Sequence, residues 1–202
     1  MLHPTPTLKE TPSQTAGPYV HIGMTPNFCE ITGVCDVDLG LTMLADDTAG
    51  ERITLTGRVI DGAGSPVGDA VIEIWQAQSD GTFAGPRTRE QGHGFTGWGR
   101  QPTQPDGTYR FDTVKPGPVD GPNGRKQAPH VSLWIVARGI NIGLQTRLYF
   151  ADEAEANATD FVLNKIMDPR RRETLIARKD EGGRYVMDIV LQGEGETVFF
   201  DI

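Results

Sequence analysis

The sequence predicts an all-β domain built as a β-sandwich with long loops. Three observations support this. Short stretches alternate apolar and polar residues with a period of two. Turn clusters rich in Gly, Pro and Asp separate them. The 202 residues include 25 Gly and 14 Pro, a composition suited to many turns rather than long helices. That length supports one domain with a sizeable core.

Residues 1–50 read as an N-terminal leader. Thr11-Pro12-Ser13-Gln14-Thr15-Ala16-Gly17-Pro18-Tyr19 is too rich in Pro, Gly and small residues for a helix, and needs a surface to hold it. Residues 36–50 show a weak pattern for a turn of helix. The β-domain, residues 51–202, opens with a strand over 52–60 whose Ile53, Leu55 and Val59 share a face. A turn at 61–66 leads to a strand over 67–77, then a Gly-rich loop over 78–104. Pro105-Asp106-Gly107 turns the chain into a strand over 108–114. A second loop spans 115–128, followed by strands at 130–137 and 144–150. Residues 152–179 carry the helical segment; Asp168 before Pro169 has the character of an N-cap followed by Pro at the first helical position, and Gly182-Gly183 ends the segment. The final strands are 184–191 and 197–202.

The net charge of −8 argues against nucleic acid or an anionic membrane as partner. No apolar run is long enough for a transmembrane helix, and Met1-Leu2-His3-Pro4-Thr5 lacks the basic start and apolar core of a secretory signal. A cytoplasmic location is therefore expected. Cys29 and Cys35 could close a small loop, but free thiols suit that compartment.

The chemistry centres on Ala128-Pro129-His130-Val131-Ser132-Leu133-Trp134-Ile135-Val136. On a strand, His130 and Ser132 point to the same face. Two imidazoles at that spacing could hold a transition metal, but a neutral serine is a poor ligand. The stretch is half a site.

With Gly57-Arg58-Val59, Glu73-Ile74-Trp75-Gln76-Ala77, Gly107-Thr108-Tyr109-Arg110-Phe111, Lys115-Pro116-Gly117 and Arg147-Leu148-Tyr149-Phe150, the chain resembles the intradiol ring-cleaving dioxygenases. The resemblance covers nearly everything after residue 10. It implies their β-sandwich fold and a ferric ion held by two tyrosines and two histidines. Carried over position by position, the tyrosines become Phe83 and Val119, the first histidine is His130, and the second becomes Ser132. An arginine preceding the first histidine becomes Gln127. The resemblance thus implies vestigial ligand positions, no metal ligation and no catalytic residue in this chain.

Some family members pair an iron-free alpha chain with a homologous beta chain that binds Fe(III). Their substrates are protocatechuate, a catechol with a carboxylate, and O2. The leader, Ala137-Arg138-Gly139-Ile140-Asn141-Ile142, Arg172-Glu173-Thr174-Leu175-Ile176-Ala177 and the C-terminal stretch 192–201 resemble the alpha type. That implies an arm over 1–50 packed on the beta chain, with Thr15, Ala16, Gly17, Pro18 and Arg138 lining the partner's substrate pocket. A guanidinium at the open end of an apolar strand suits an anion, although a surface ion pair would explain it equally well.

Other readings are weaker. His21, His93 and His130 share no short ligand spacing. Ser132 near His130 lacks an orienting acid for nucleophilic chemistry. Tyr109 lies in an alternating strand and reads as core or sheet surface. Arg170-Arg171-Arg172 is a basic run at a helix start, where cations are mildly unfavourable; it suits a paired or interface role. Two alternatives stay open: a stand-alone β-sandwich binding or scaffold protein, and an independent enzyme with a rebuilt site.

Overall fold

The computed structural model describes residues 15–17, 19–85, 94–141 and 143–201. Its strands are β1 (Arg52–Ile60), β2 (Val71–Gln76), β3 (Trp98–Pro102), β4 (Thr108–Val114), β5 (Val119–Asp120), β6 (Lys126–Gln127), β7 (His130–Val136), β8 (Leu144–Phe150), β9 (Ile176–Lys179), β10 (Tyr185–Val186) and β11 (Ile189–Val190). The helices are short: α1 (Tyr19–Met24), α2 (Ala154–Thr159) and α3 (Pro169–Glu173).

Two leaves face each other across the main core. One pairs β4 with β1, and β1 with β10 and β11; the other runs β8-β7-β2-β3. Strand β9 joins them, pairing parallel with β8 at Ile176 and Ala177 and antiparallel with β10 at Arg178 and Lys179. Ile53, Leu55, Val59 and Phe111 meet Ile72, Ile74, Leu133, Ile135 and Leu148 in the core between the leaves. Burying one face of each strand makes a slip by one residue costly, because every apolar side chain would turn outward.

The expected strands at 52–60, 108–114 and 144–150 form with those limits. Elsewhere the boundaries differ. The 184–191 stretch breaks into β10 and β11 at Met187 and Asp188. There the Asp188 carboxylate accepts from Arg58 N at 2.9 Å, while Tyr109 Oη donates to Met187 O at 2.6 Å. Gly57 makes this break possible, because a Cβ there would lie 1.9 Å from Met187 O. Within 152–179 the helical pieces are α2, a 3-10 turn over Leu163–Lys165 and α3, but residues 176–179 are strand β9. Asp168 does cap α3, accepting from Arg170 N at 2.9 Å. Residues 197–201 contribute only a bridge between Phe200 and Gln145. The stretch 78–104 conceals β3, and 115–128 conceals β5 and β6.

The leader is bound into the domain at Thr15 and Ala16, which meet Arg138 and Gly139, and again from residue 24 onward. Arg100 Nη1 donates to Met24 O, Arg100 N to Gly40 O and Thr96 N to Met43 O. Met43 enters the main core. Its fit depends on Gly99, where a Cβ would lie 2.6 Å from Met43 Sδ. This segment covers the outer edge of β3, an edge that would otherwise offer open hydrogen-bonding groups. Its turns carry no helix over 36–50; the leader's helix is α1 instead. Phe28, Ile31, Val34, Val37, Leu39 and Leu41 remain exposed along it.

Candidate functional site: the expected ligand positions and the Arg138 corner

Phe83, Val119, His130 and Ser132, the positions expected to be vestigial, lie on or beside the outer face of β2, β7 and β8. Ser132 pairs with Trp75 on one side and Arg147 on the other. Phe83 stacks on Trp75 with ring centroids 6.3 Å apart. Both aromatic rings stay about half exposed, at 46% for Phe83 and 49% for Trp75. Val119 is buried and pairs with Gln127 across the β5–β6 ladder. The two loops are tied together where Gly117 N donates to Gln78 O at 2.9 Å.

His130 is buried beside Tyr149, with ring centroids 5.7 Å apart. Its Nδ1 lies 2.7 Å from Ala128 O. A carbonyl only accepts, so Nδ1 carries the proton and Nε2 the lone pair. Burial, then the Arg147 guanidinium, push the ring's pKa down to about 4, against the opposing hydrogen bond to Ala128. The imidazole is neutral at neutral pH.

A small second core closes this end of the face: Ala128, Tyr149, Leu163, Leu175 and Val198. Asp160 holds it in place. Its carboxylate accepts from Ala128 N at 2.8 Å, Val162 N at 2.8 Å, Leu163 N at 2.7 Å and Tyr149 Oη at 3.3 Å. Arg147 Nη1 donates to Gln127 Oε1 at 2.9 Å and, more weakly, to Tyr149 Oη at 3.4 Å.

The Arg138 corner lies at the other end of β7. Eight residues separate His130 from Arg138, or roughly 25 Å of extended chain. Ala16 forms a parallel bridge with Arg138, and Ala16 N donates to Ile140 O at 3.1 Å. Gly139 N donates to Thr15 Oγ1 at 2.9 Å, with Gly139 at φ +89°. Gly17 follows directly in chain; Pro18 lies outside the described residues, as does His93. The Arg138 side chain is 65% exposed and its Nη2 sits 2.6 Å from Asp69 Oδ2, whose side chain is only 18% exposed. Shallow depressions flank it, one toward Ile140, Leu144 and Gln192, the other toward Pro66 and Val67.

Sequence reasoning passed over Arg147, Asp160 and Asp69. Arg147 stood within a recognised motif, but its place beside Ser132 depends on strand register. Asp69 lies in an ordinary turn before β2, far from Arg138 in sequence. No local signal marks either pairing.

The profile of a family described as dioxygenase matches residues 24–193. The protocatechuate 3,4-dioxygenase alpha chain of Pseudomonas putida is 48% identical over 200 residues, covering 96% of this chain and 97% of its own. The chain belongs to the intradiol dioxygenase family. The alpha chain of the same name from Burkholderia cepacia is 41% identical, across 97% of this chain and 99% of its own. The Burkholderia cepacia beta chain is 31% identical, across 83% and 76%. In fold, the chain is similar to the 3-chlorocatechol 1,2-dioxygenase of Rhodococcus opacus 1CP, with a TM-score of 0.59 at 22% identity over 79% of this chain and 66% of that one.

Intradiol dioxygenases use iron, and the donors at these four positions do not fit a ferric ion. Phe83 keeps a ring without a phenolate, Val119 has no donor atom, and the Ser132 hydroxyl is a weak neutral ligand. His130 alone offers an imidazole. Among the described residues, no group of three or more His, Cys, Asp or Glu is placed to hold a metal ion.

Proposed function

We propose that this chain is the alpha subunit of a protocatechuate 3,4-dioxygenase. Paired with a homologous beta chain, it takes part in opening protocatechuate with O2 to 3-carboxy-cis,cis-muconate, a step of aromatic catabolism in the β-ketoadipate pathway. The beta chain carries the Fe(III). This chain contributes structure and part of the pocket wall through Thr15, Ala16, Gly17, Pro18 and Arg138, with the exposed side of its arm over 1–50 laid on the partner.

The observation that carries this reading is the likeness to two alpha chains along nearly their whole length, together with the unsuitable donors at Phe83, Val119 and Ser132. Two features add support. Arg138 lies too far along β7 to serve its own chain's vestigial positions, and its exposed guanidinium suits a carboxylate held by a neighbouring chain. The apolar side chains exposed between Phe28 and Leu41 form the kind of surface that a partner covers. The free thiols Cys29 and Cys35 suit a cytoplasmic home. Among the described residues, no helix is long and apolar enough to cross a membrane.

Co-expression with a beta chain tests the proposal. The expected result is a stable hetero-oligomer that contains iron and turns over protocatechuate. A chain that stays monomeric beside a fully active beta chain would contradict it and favour a scaffold role.

A further inference from the structure

Asp69 and Arg138 face each other at the open end of the β2–β7 ladder. Val71 of β2 pairs antiparallel with Val136 of β7. Asp69 lies two residues before Val71 and Arg138 two residues after Val136, so the same register carried outward sets them opposite each other as a cross-strand pair. Arg138 Nη2 reaches Asp69 Oδ2 at 2.6 Å. Oδ2 is shut off from solvent and, among the described residues, has no hydrogen-bond partner of regular geometry. The Arg138 charge is therefore what compensates it. Asp61, the other carboxylate bordering this corner, is engaged by its own turn through Ala63 N at 2.8 Å and Ser65 N at 2.9 Å.

We infer that Asp69 is a positioning residue that holds the Arg138 guanidinium ready for the substrate's carboxylate. This rests on the reading of Arg138 as part of the partner's pocket wall. Two restraints act on Arg138 separately. The arm fixes its backbone through the Ala16 bridge and the bond from Gly139 N to Thr15 Oγ1. Asp69 fixes its side chain, which is otherwise 65% exposed and free to turn in water. A guanidinium carries five N–H donors in a rigid fork, so one held at Nη2 keeps other donors for a second carboxylate. A long side chain that is already ordered loses less rotamer freedom on binding. The ion pair and the pocket role are thus compatible, the first supporting the second.

The test is a double-mutant cycle in the assembled complex: Asp69→Asn, Arg138→Ala and both together. Asn keeps the size of the side chain and removes its charge. With protocatechuate, Asp69→Asn is expected to raise KM about fivefold, less than Arg138→Ala, because the cation stays and loses only its restraint. The kcat, the iron content and the turnover of a catechol without a carboxylate should stay at parent values. In the Arg138→Ala background, Asp69→Asn should add no further change in KM. If Asp69 merely competed with the substrate for the guanidinium, Asp69→Asn would lower KM. A lowered or unchanged KM while Arg138→Ala raises it would overturn the inference and leave the pocket reading intact. Equal rises for both substrates, or independent effects in the double variant, would also overturn it by marking a general structural role. No effect of Arg138→Ala would remove the pocket reading itself, and this inference with it.

Discussion

At the residue scale, His130 keeps a neutral ring through burial and the neighbouring Arg147, and that state links stability to pH. Its pKa falls from 6.5 in the free side chain to about 4 in the fold. The unfolded chain therefore takes up a proton first on acidification. The contribution is complete above pH 6.5 and is lost as the pH falls toward about 4, a total of about 3 kcal/mol. Denaturant midpoints measured across this range for the parent and His130→Gln should converge toward low pH by an amount of that order; a constant difference would contradict the buried neutral ring. For Arg138→Ala in the complex, KM for protocatechuate should rise about tenfold or more, the scale of a lost charge-assisted hydrogen bond. Turnover of a catechol without a carboxylate should change little, and iron content should stay the same. Unchanged kinetics toward protocatechuate would remove Arg138 from the pocket wall. The pair His130 and Ser132 was legible from spacing alone. Arg147 was not, because no local pattern says which β8 residue will lie opposite Ser132.

At the scale of elements, the closure of the sheet face depends on Asp160 more than on any one strand. Asp160→Ala leaves Ala128 N, Val162 N and Leu163 N without their acceptor. A loss of at least about 3 kcal/mol is expected, read from urea unfolding; a loss below about 1 kcal/mol would mean water replaces the carboxylate readily. The break between β10 and β11 makes a second case. Tyr109→Phe strands Met187 O in a buried place and should cost about 1–3 kcal/mol in the same assay. Strands such as β1 were legible because Ile53, Leu55 and Val59 alternate without interruption. The break at Met187 was hidden because Tyr185, Met187, Ile189 and Leu191 keep the alternating pattern through it. Strand β3 was hidden for the opposite reason: Trp98-Gly99-Arg100-Gln101-Pro102 places a glycine where the core needs room for Met43, so its apolar signal belongs to another part of the chain.

At the scale of the whole molecule, one β-sandwich holds two chemically distinct corners at opposite ends of β7. At the His130 end, Phe83, Val119 and Ser132 offer two hydrocarbon groups and a hydroxyl beside one buried, neutral imidazole. At the Arg138 end, the N-terminal arm at Thr15 and Ala16 is joined to an exposed cation. The fold class was readable because alternation and turns are local properties. The pairing of the arm with Arg138 was not readable from physics alone, since over 120 residues separate Thr15 from Gly139; only the family resemblance linked them. The most direct measurement is iron content and oxygen uptake with protocatechuate for this chain alone and for its complex with a beta chain. Neither ferric binding nor oxygen uptake is expected from the chain alone, and both are expected from the complex. A tyrosinate-to-iron band with oxygen uptake by the isolated chain would contradict the claim that its chemistry resides in the partner.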